Sequence, residues 1–109
     1  MTNPPSSNTK LQTFRVMVAK NPDNVLARFG LANEAMKAGL HEEAAEQLGA
    51  YLARYDDEGN GWQRLAECRV VLGQPAEARA ALEHGIAAAR RHGHGGLAGE
   101  LEARLEDLE

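Results

Sequence analysis

A self-similarity at a shift of 34 residues is the strongest constraint on this chain: it places Leu31 on Leu65, Ala32 on Ala66, Gly39 on Gly73, Ala44 on Ala78 and Leu48 on Leu82. A fixed period of this size means that one supersecondary unit recurs and that neighbouring units bury each other's apolar faces. The apolar residues within each period follow helical spacing, and no long stretch alternates as a half-buried strand would, so the unit reads as a pair of helices. Gly39 and Gly73 stand just past the first helix of each pair, where a left-handed residue closes the end without a side-chain clash. Pro75 suits the first turn of the next helix, because its missing N–H has no intrahelical partner there. Asn24 is the expected cap of a helix beginning at Val25, and Asp56 to Gly61 supplies the turn in front of Trp62. Alanines 32, 44, 66 and 78 let paired helices approach closely, and the leucines at 31, 48, 65 and 82 fill the space between them. The two repeats span 25–58 and 59–92.

Trp62, Leu65, Ala66, Ala78 and Leu82 resemble the W-x-x-L-G…A-x-x-x-F framework of the tetratricopeptide repeat (TPR) family, with Ala and Leu in place of Gly and Phe. The resemblance implies an all-α fold: a right-handed α-α superhelix, or TPR solenoid, of antiparallel helical hairpins. One further period back from Leu48 lies Phe14, and Pro22 falls where the family often has a closing proline, so 9–24 reads as a half-repeat. Leu11, Phe14, Met17 and Val18 are expected on one face of its helix. Beyond His92-Gly93-His94-Gly95-Gly96, the leucines at 97, 101, 105 and 108 mark a capping helix over 96–108. Its Glu100, Glu102, Arg104, Glu106 and Asp107 are expected to face water. Residues 9–108 then form a single domain, 1–8 a disordered tail rich in Pro, Ser and Asn, and Leu108-Glu109 is compatible with a cloning remnant. Three residues depart from the family pattern. Arg28 holds the first repeat's tryptophan position, Arg69 the second repeat's tyrosine position, and Tyr51 a position that is normally small; Ala35 is expected to leave room for the Tyr51 ring.

In the resembled family the exposed positions of the first helices line a concave face and touch a bound peptide. They correspond here to Leu26, Phe29, Asn33, Met36 and Lys37, then Asn60, Gln63, Arg64, Glu67, Val70 and Val71. The chemistry suits a peptide, since Asn33 and Gln63 can hydrogen-bond an extended backbone, Lys37 and Arg64 can meet a carboxylate, and Phe29 with Met36 offers an adaptable apolar contact. The site residues expected are therefore Phe29, Asn33, Met36, Lys37, Gln63, Arg64, Glu67 and Val70. So short a groove predicts micromolar affinity, about −8 kcal/mol. Phe29 has a second reading, packing beneath the amino-terminal helix with Phe14 and Met17. Gly30 inside a helix costs about 1 kcal/mol relative to alanine, which points to a close backbone approach. Of the carboxylate clamp used by chaperone-binding family members only Asn33 and Arg64 fit, and Phe29 stands where its first lysine would be, so that activity is not assigned.

Other classes are excluded by what the chain lacks. Its formal charge is −4, basic residues lead only before Lys20, and no basic stripe exists to hold a phosphate backbone, so nucleic acid is not an expected partner. No apolar run approaches the roughly 20 residues of a membrane span. The lone Cys68 cannot form an internal disulfide and no secretory signal opens the chain, which predicts a cytoplasmic setting. Cys68 is expected to be packed rather than reactive. No Gly-rich phosphate loop, paired cysteines or Ser/His/Asp grouping is present, so neither an enzyme nor a cofactor is expected. His84, His92 and His94 could attract a transition metal, but Gly93 makes their geometry loose and a solvated loop is the simpler reading. Arg90 and Arg91 complement a helix dipole. The function expected is a non-catalytic protein–protein interaction module for a protein or peptide partner. The alternative is a self-associating structural subunit of a homo-oligomer or larger complex; a monomer or a weak homo-oligomer is compatible with the sequence.

Overall fold

Four short turns divide the chain into helices, and each turn is specified by local chemistry. In the computed structural model, which describes residues 7–108, they separate α1 (Ser7–Lys20), α2 (Val25–Lys37), α3 (His41–Leu52), α4 (Asn60–Val71), α5 (Pro75–Arg91) and α6 (Gly95–Leu108), with no strand among the described residues; a longer loop joins α3 to α4. Gly39 and Gly73 adopt φ of 78° and 72°. Around them, Leu40 N–H donates to Ala35 O at 2.8 Å and Gln74 N–H to Arg69 O at 2.8 Å, the paired bonds that absorb the last helical carbonyls. The same arrangement recurs after α5, where Gly93 has φ 77° and His94 N–H donates to Ala89 O at 2.7 Å. Pro75 occupies the first turn of α5.

The helix starts differ. Asn24 caps α2 by accepting from Ala27 N–H at 3.1 Å. In front of α4 the capping group is Asp57, which is buried and accepts from Gly59 N–H at 2.7 Å and from Gly61 N–H at 2.8 Å. α4 begins at Asn60, within the stretch expected to be a turn, because Asp57 satisfies its orphan donors from upstream.

The chain divides into two compact units between Arg54 and Tyr55. In the first, α1 packs on α2 and α2 on α3. Its core holds Leu11, Val18, Leu31, Ala32, Ala35, Ala44, Leu48 and Tyr51. The sequence placed Ser7 and Asn8 in a tail, yet α1 begins at Ser7; residues 1–6 of that expected tail lie outside the described residues, as does Glu109. Met17 was expected on the buried face with Leu11 and Val18, but it is 39 % exposed. α1 packs chiefly on α2 within its unit, so a narrow stripe suffices. In the second unit α4 packs on α5 and α5 on α6, around Leu65, Ala66, Ala78, Leu82, Ile86, Ala89, Ala98 and Leu101.

Two glycines mark close approaches. A methyl at Gly30 would overlap the Phe14 ring, so the close contact foreshadowed by a mid-helix glycine is made by α1. A methyl at Gly85 would lie 2.9 Å from Trp62 Cβ and 3.0 Å from Leu101 Cδ1, which lets α4 and α6 both seat closely on α5.

Candidate functional site

The residues expected to meet a partner lie on α2 and α4, one set in each unit. On α2, Phe29, Asn33 and Met36 are half-buried and Lys37 is exposed; Leu26 continues their stripe at 76 % exposure. The Phe29 ring meets Tyr51 of α3, with centroids 4.7 Å apart and planes tilted by 38°. Tyr51 is 5 % exposed, so Phe29 is in part the lid of the first unit's core. Lys37 is engaged by Glu34, with Nζ 3.2 Å from Oε2. Glu34 is itself buried, and its Oε1 has no hydrogen-bond partner. A substrate carboxylate reaching Lys37 would therefore compete with an existing partner.

On α4, Gln63, Arg64 and Glu67 are half-buried, while Val70 and Val71 are 50 % and 61 % exposed. Arg64 Nη1 donates to Asn60 O at 3.3 Å. Glu67 accepts from Arg104 of α6 at 3.4 Å. These helices flank an open groove of about 550 Å³, with Leu82 and Ala66 at its base, Val70, Val71 and Leu108 on its apolar walls, and the Glu67–Arg104 pair and Asp107 also lining it. The sequence assigned α6 to capping alone. The structure adds Arg104, Asp107 and Leu108 to the surface around Val70, a contribution hidden from any pattern within α4.

Other charged residues are drawn into local pairs. Arg15 Nη2 lies 2.7 Å from Glu43 Oε1, and this hydrogen bond holds the Glu43 carboxyl below the ordinary range while raising Arg15 further. Arg28, in the tryptophan position, donates to Pro22 O at 2.8 Å and to Gln47 Oε1 at 3.0 Å, so a polar contact replaces an aromatic one. Arg69, in the tyrosine position, donates to Gln74 Oε1 at 2.8 Å. Arg90 pairs with Glu102 and Arg91 with Asp56. The Arg91 hydrogen bond, then charge from Arg91 and His92, lowers the Asp56 carboxyl below its usual range.

His84, His92 and His94 have separate surroundings. His84 stacks on Trp62 at 4.8 Å, His92 Nε2 lies 3.0 Å from Asp56 Oδ2, and His94 pairs with Glu58. Among the described residues no three His, Cys, Asp or Glu side chains converge as a metal would require. Cys68 is fully buried in α4, and its thiol is pushed up, first by burial and next by the charge of Glu67. No helix of the described residues is long and apolar enough to cross a membrane.

Helical hairpins repeating at a fixed period, closed by left-handed glycines and displaying a mixed polar and apolar first-helix face, define a helical-repeat protein. The chain belongs to the tetratricopeptide repeat family: the family model of that description matches residues 5–82. It is 38 % identical over 99 residues to TPR repeat-containing protein PA0015 of Pseudomonas aeruginosa, across 91 % of this chain and 94 % of the relative. Among solved structures it resembles PcrH, crystallised in complex with the chaperone binding region of PopD, with a TM-score of 0.85 and 21 % identity over 94 % of this chain and 77 % of that one. MamA is similar with a TM-score of 0.68 and 17 % identity, over 91 % of this chain and 66 % of that one. The fold is accordingly all-α and of the TPR solenoid type.

Proposed function

We propose that this chain is a non-catalytic interaction module that takes a peptide or protein segment on the outward faces of α2 and α4, through Phe29, Asn33, Met36 and Lys37 and through Gln63, Arg64, Glu67 and Val70. One observation carries the reading. Among the described residues α2 exposes Leu26 and α4 exposes Val70 and Val71, whereas α3, α5 and α6 expose no large apolar side chain. Exposed aliphatic side chains beside hydrogen-bonding and charged groups are what a peptide surface needs, and they serve no packing purpose within their own unit. The complex of the structurally similar PcrH with a segment of PopD supports a polypeptide as the class of ligand. A cytoplasmic setting belongs to the same reading and rests on the unpaired thiol of Cys68.

The test is a backbone amide NMR titration of the full chain with short peptides selected from a displayed random library. Binding with Kd on the order of 10 μM is expected, with shifts at the named residues and loss of binding in Val70→Glu. Shifts confined to α3 and α5 would sink the proposal.

A further inference from the structure

The groove beside Val70 and Val71 has a specific electrostatic character. It lies near the carboxyl-terminal ends of α4 and α6; the turn at Gly73 and Arg69 offset the end of α4, whereas α6 has no basic residue in its last turn to offset the partial negative charge of its own end. α6 carries Glu100, Glu102, Glu106 and Asp107 against the single Arg104, and Arg104 is already engaged by Glu67. Asp107 therefore adds its charge directly to an aliphatic groove wall formed by Val70, Val71 and Leu108. The occupant this selects has aliphatic side chains next to a cation and no acidic residue of its own.

Such an element is present in the chain itself. α1 carries Lys10, Arg15 and Lys20 and no acidic residue. It exposes Val16 by 51 % and Met17 by 39 %, and Lys20 follows Val16 by four residues, so the aliphatic pair and the cation share one surface of the helix. Arg15 is occupied by Glu43. Lys20 is thus the cation beside that pair.

We infer that α1 of one copy docks in the α4–α6 groove of a second copy, with Val16 and Met17 against Val70, Val71 and Leu108 and with Lys20 near Asp107. The two surfaces are different, so the contact is heterologous: each copy offers both halves, and association runs head to tail beyond a dimer unless rotation closes a ring. The inference goes beyond peptide binding but shares Val70 with it, so a peptide on α4 and the α1 of a neighbour would exclude each other.

Sedimentation velocity on the full chain from about 10 μM to about 1 mM, the range suited to so small a contact, should show species that grow past a dimer. Raising salt from about 0.05 M to about 0.5 M should reduce them, as expected for exposed charges. Two double variants decide the geometry. Val16→Glu with Met17→Glu blocks the donor helix, and Val70→Glu with Val71→Glu blocks the groove; all four positions are exposed, and circular dichroism checks the fold. Each variant alone should be monomeric, and an equimolar mixture should form a heterodimer and nothing larger. A wild-type chain that stays monomeric throughout, a groove-blocked variant that still self-associates, or a mixture with no heterodimer would overturn the inference. If the monomeric wild type still shows peptide-induced shifts on α2 and α4, self-docking is wrong and the peptide-binding proposal stands.

Discussion

In the first hairpin the bulk at the seam between helices comes from α3, where Tyr51 lies buried beneath Phe29; in the second it comes from α4, where Trp62 sits against Gly85, the residue one 34-residue period after Tyr51. The exchange extends to their neighbours. Arg28 occupies the position matching Trp62 and binds Gln47, whose own counterpart in the second repeat is Ala81. In the second repeat a large side chain, Trp62, is met by a small one, Gly85, whereas in the first two large side chains, Phe29 and Tyr51, meet each other. The two hairpins close their seams with different side chains at matching positions.

The largest way to break this comparison is Tyr51→Ala, which removes a ring from a buried site and should destabilise the fold by about 3 kcal/mol in chemical denaturation. A cost near zero would show that Phe29 and its neighbours close the space unaided. The reciprocal change, Gly85→Ala, gains helix propensity but drives a methyl against Trp62 Cβ and Leu101; a net loss of about 1–3 kcal/mol is expected. Stabilisation by this change would mean that α4 and α6 yield easily. The caps sharpen the contrast on a smaller scale. Asp57→Ala breaks two bonds to a buried carboxylate and should cost about 2 kcal/mol, whereas Asn24→Ala breaks one bond and should cost about 1 kcal/mol. Equal losses would remove the distinction between the two helix starts.

The turns and the repeated core were legible in the sequence because each is written by residues that recur in phase: Leu31 with Leu65, Gly39 with Gly73, Ala44 with Ala78. The reversal of bulk was not. Tyr51 meets Phe29, and nothing in the spacing of α3 reveals that this residue of α2 faces its ring. Asp57 escaped notice because it caps from two residues ahead of Gly59, outside the usual position. The stations expected on α2 and α4 followed from the resemblance to the family, whereas the pairing of Lys37 with Glu34 and of Glu67 with Arg104 depends on side-chain directions and on a helix distant in sequence. Met17 was misplaced because a helical stripe gives the direction of burial but not its width.

The smallest expected effect compares acid responses. Glu43 in the first unit and Asp56 in the second both have lowered carboxyl pKa values, from Arg15 and from Arg91 respectively. Each group favours folding above its unfolded pKa, about 4.3 for Glu and 3.9 for Asp, and that contribution is lost as pH falls through the lower folded value. Carboxylate NMR titration should therefore place both midpoints below those references, and Arg91→Ala should move Asp56 upward while leaving Glu43 in place. A shift of both would mean that the two pairs are not independent.

Cys68 turns its own burial into a measuring device. It is the chain's single thiol, it sits in α4 with no exposed surface, and its ionisation is suppressed, so an alkylating reagent can reach it only when the second unit opens. Under rapid reclosing, the labelling rate relative to that of a free thiol reports the population of the open form directly, without any engineered probe. The first unit contains no cysteine and contributes no signal of its own, so one reagent times the opening of one half of the molecule.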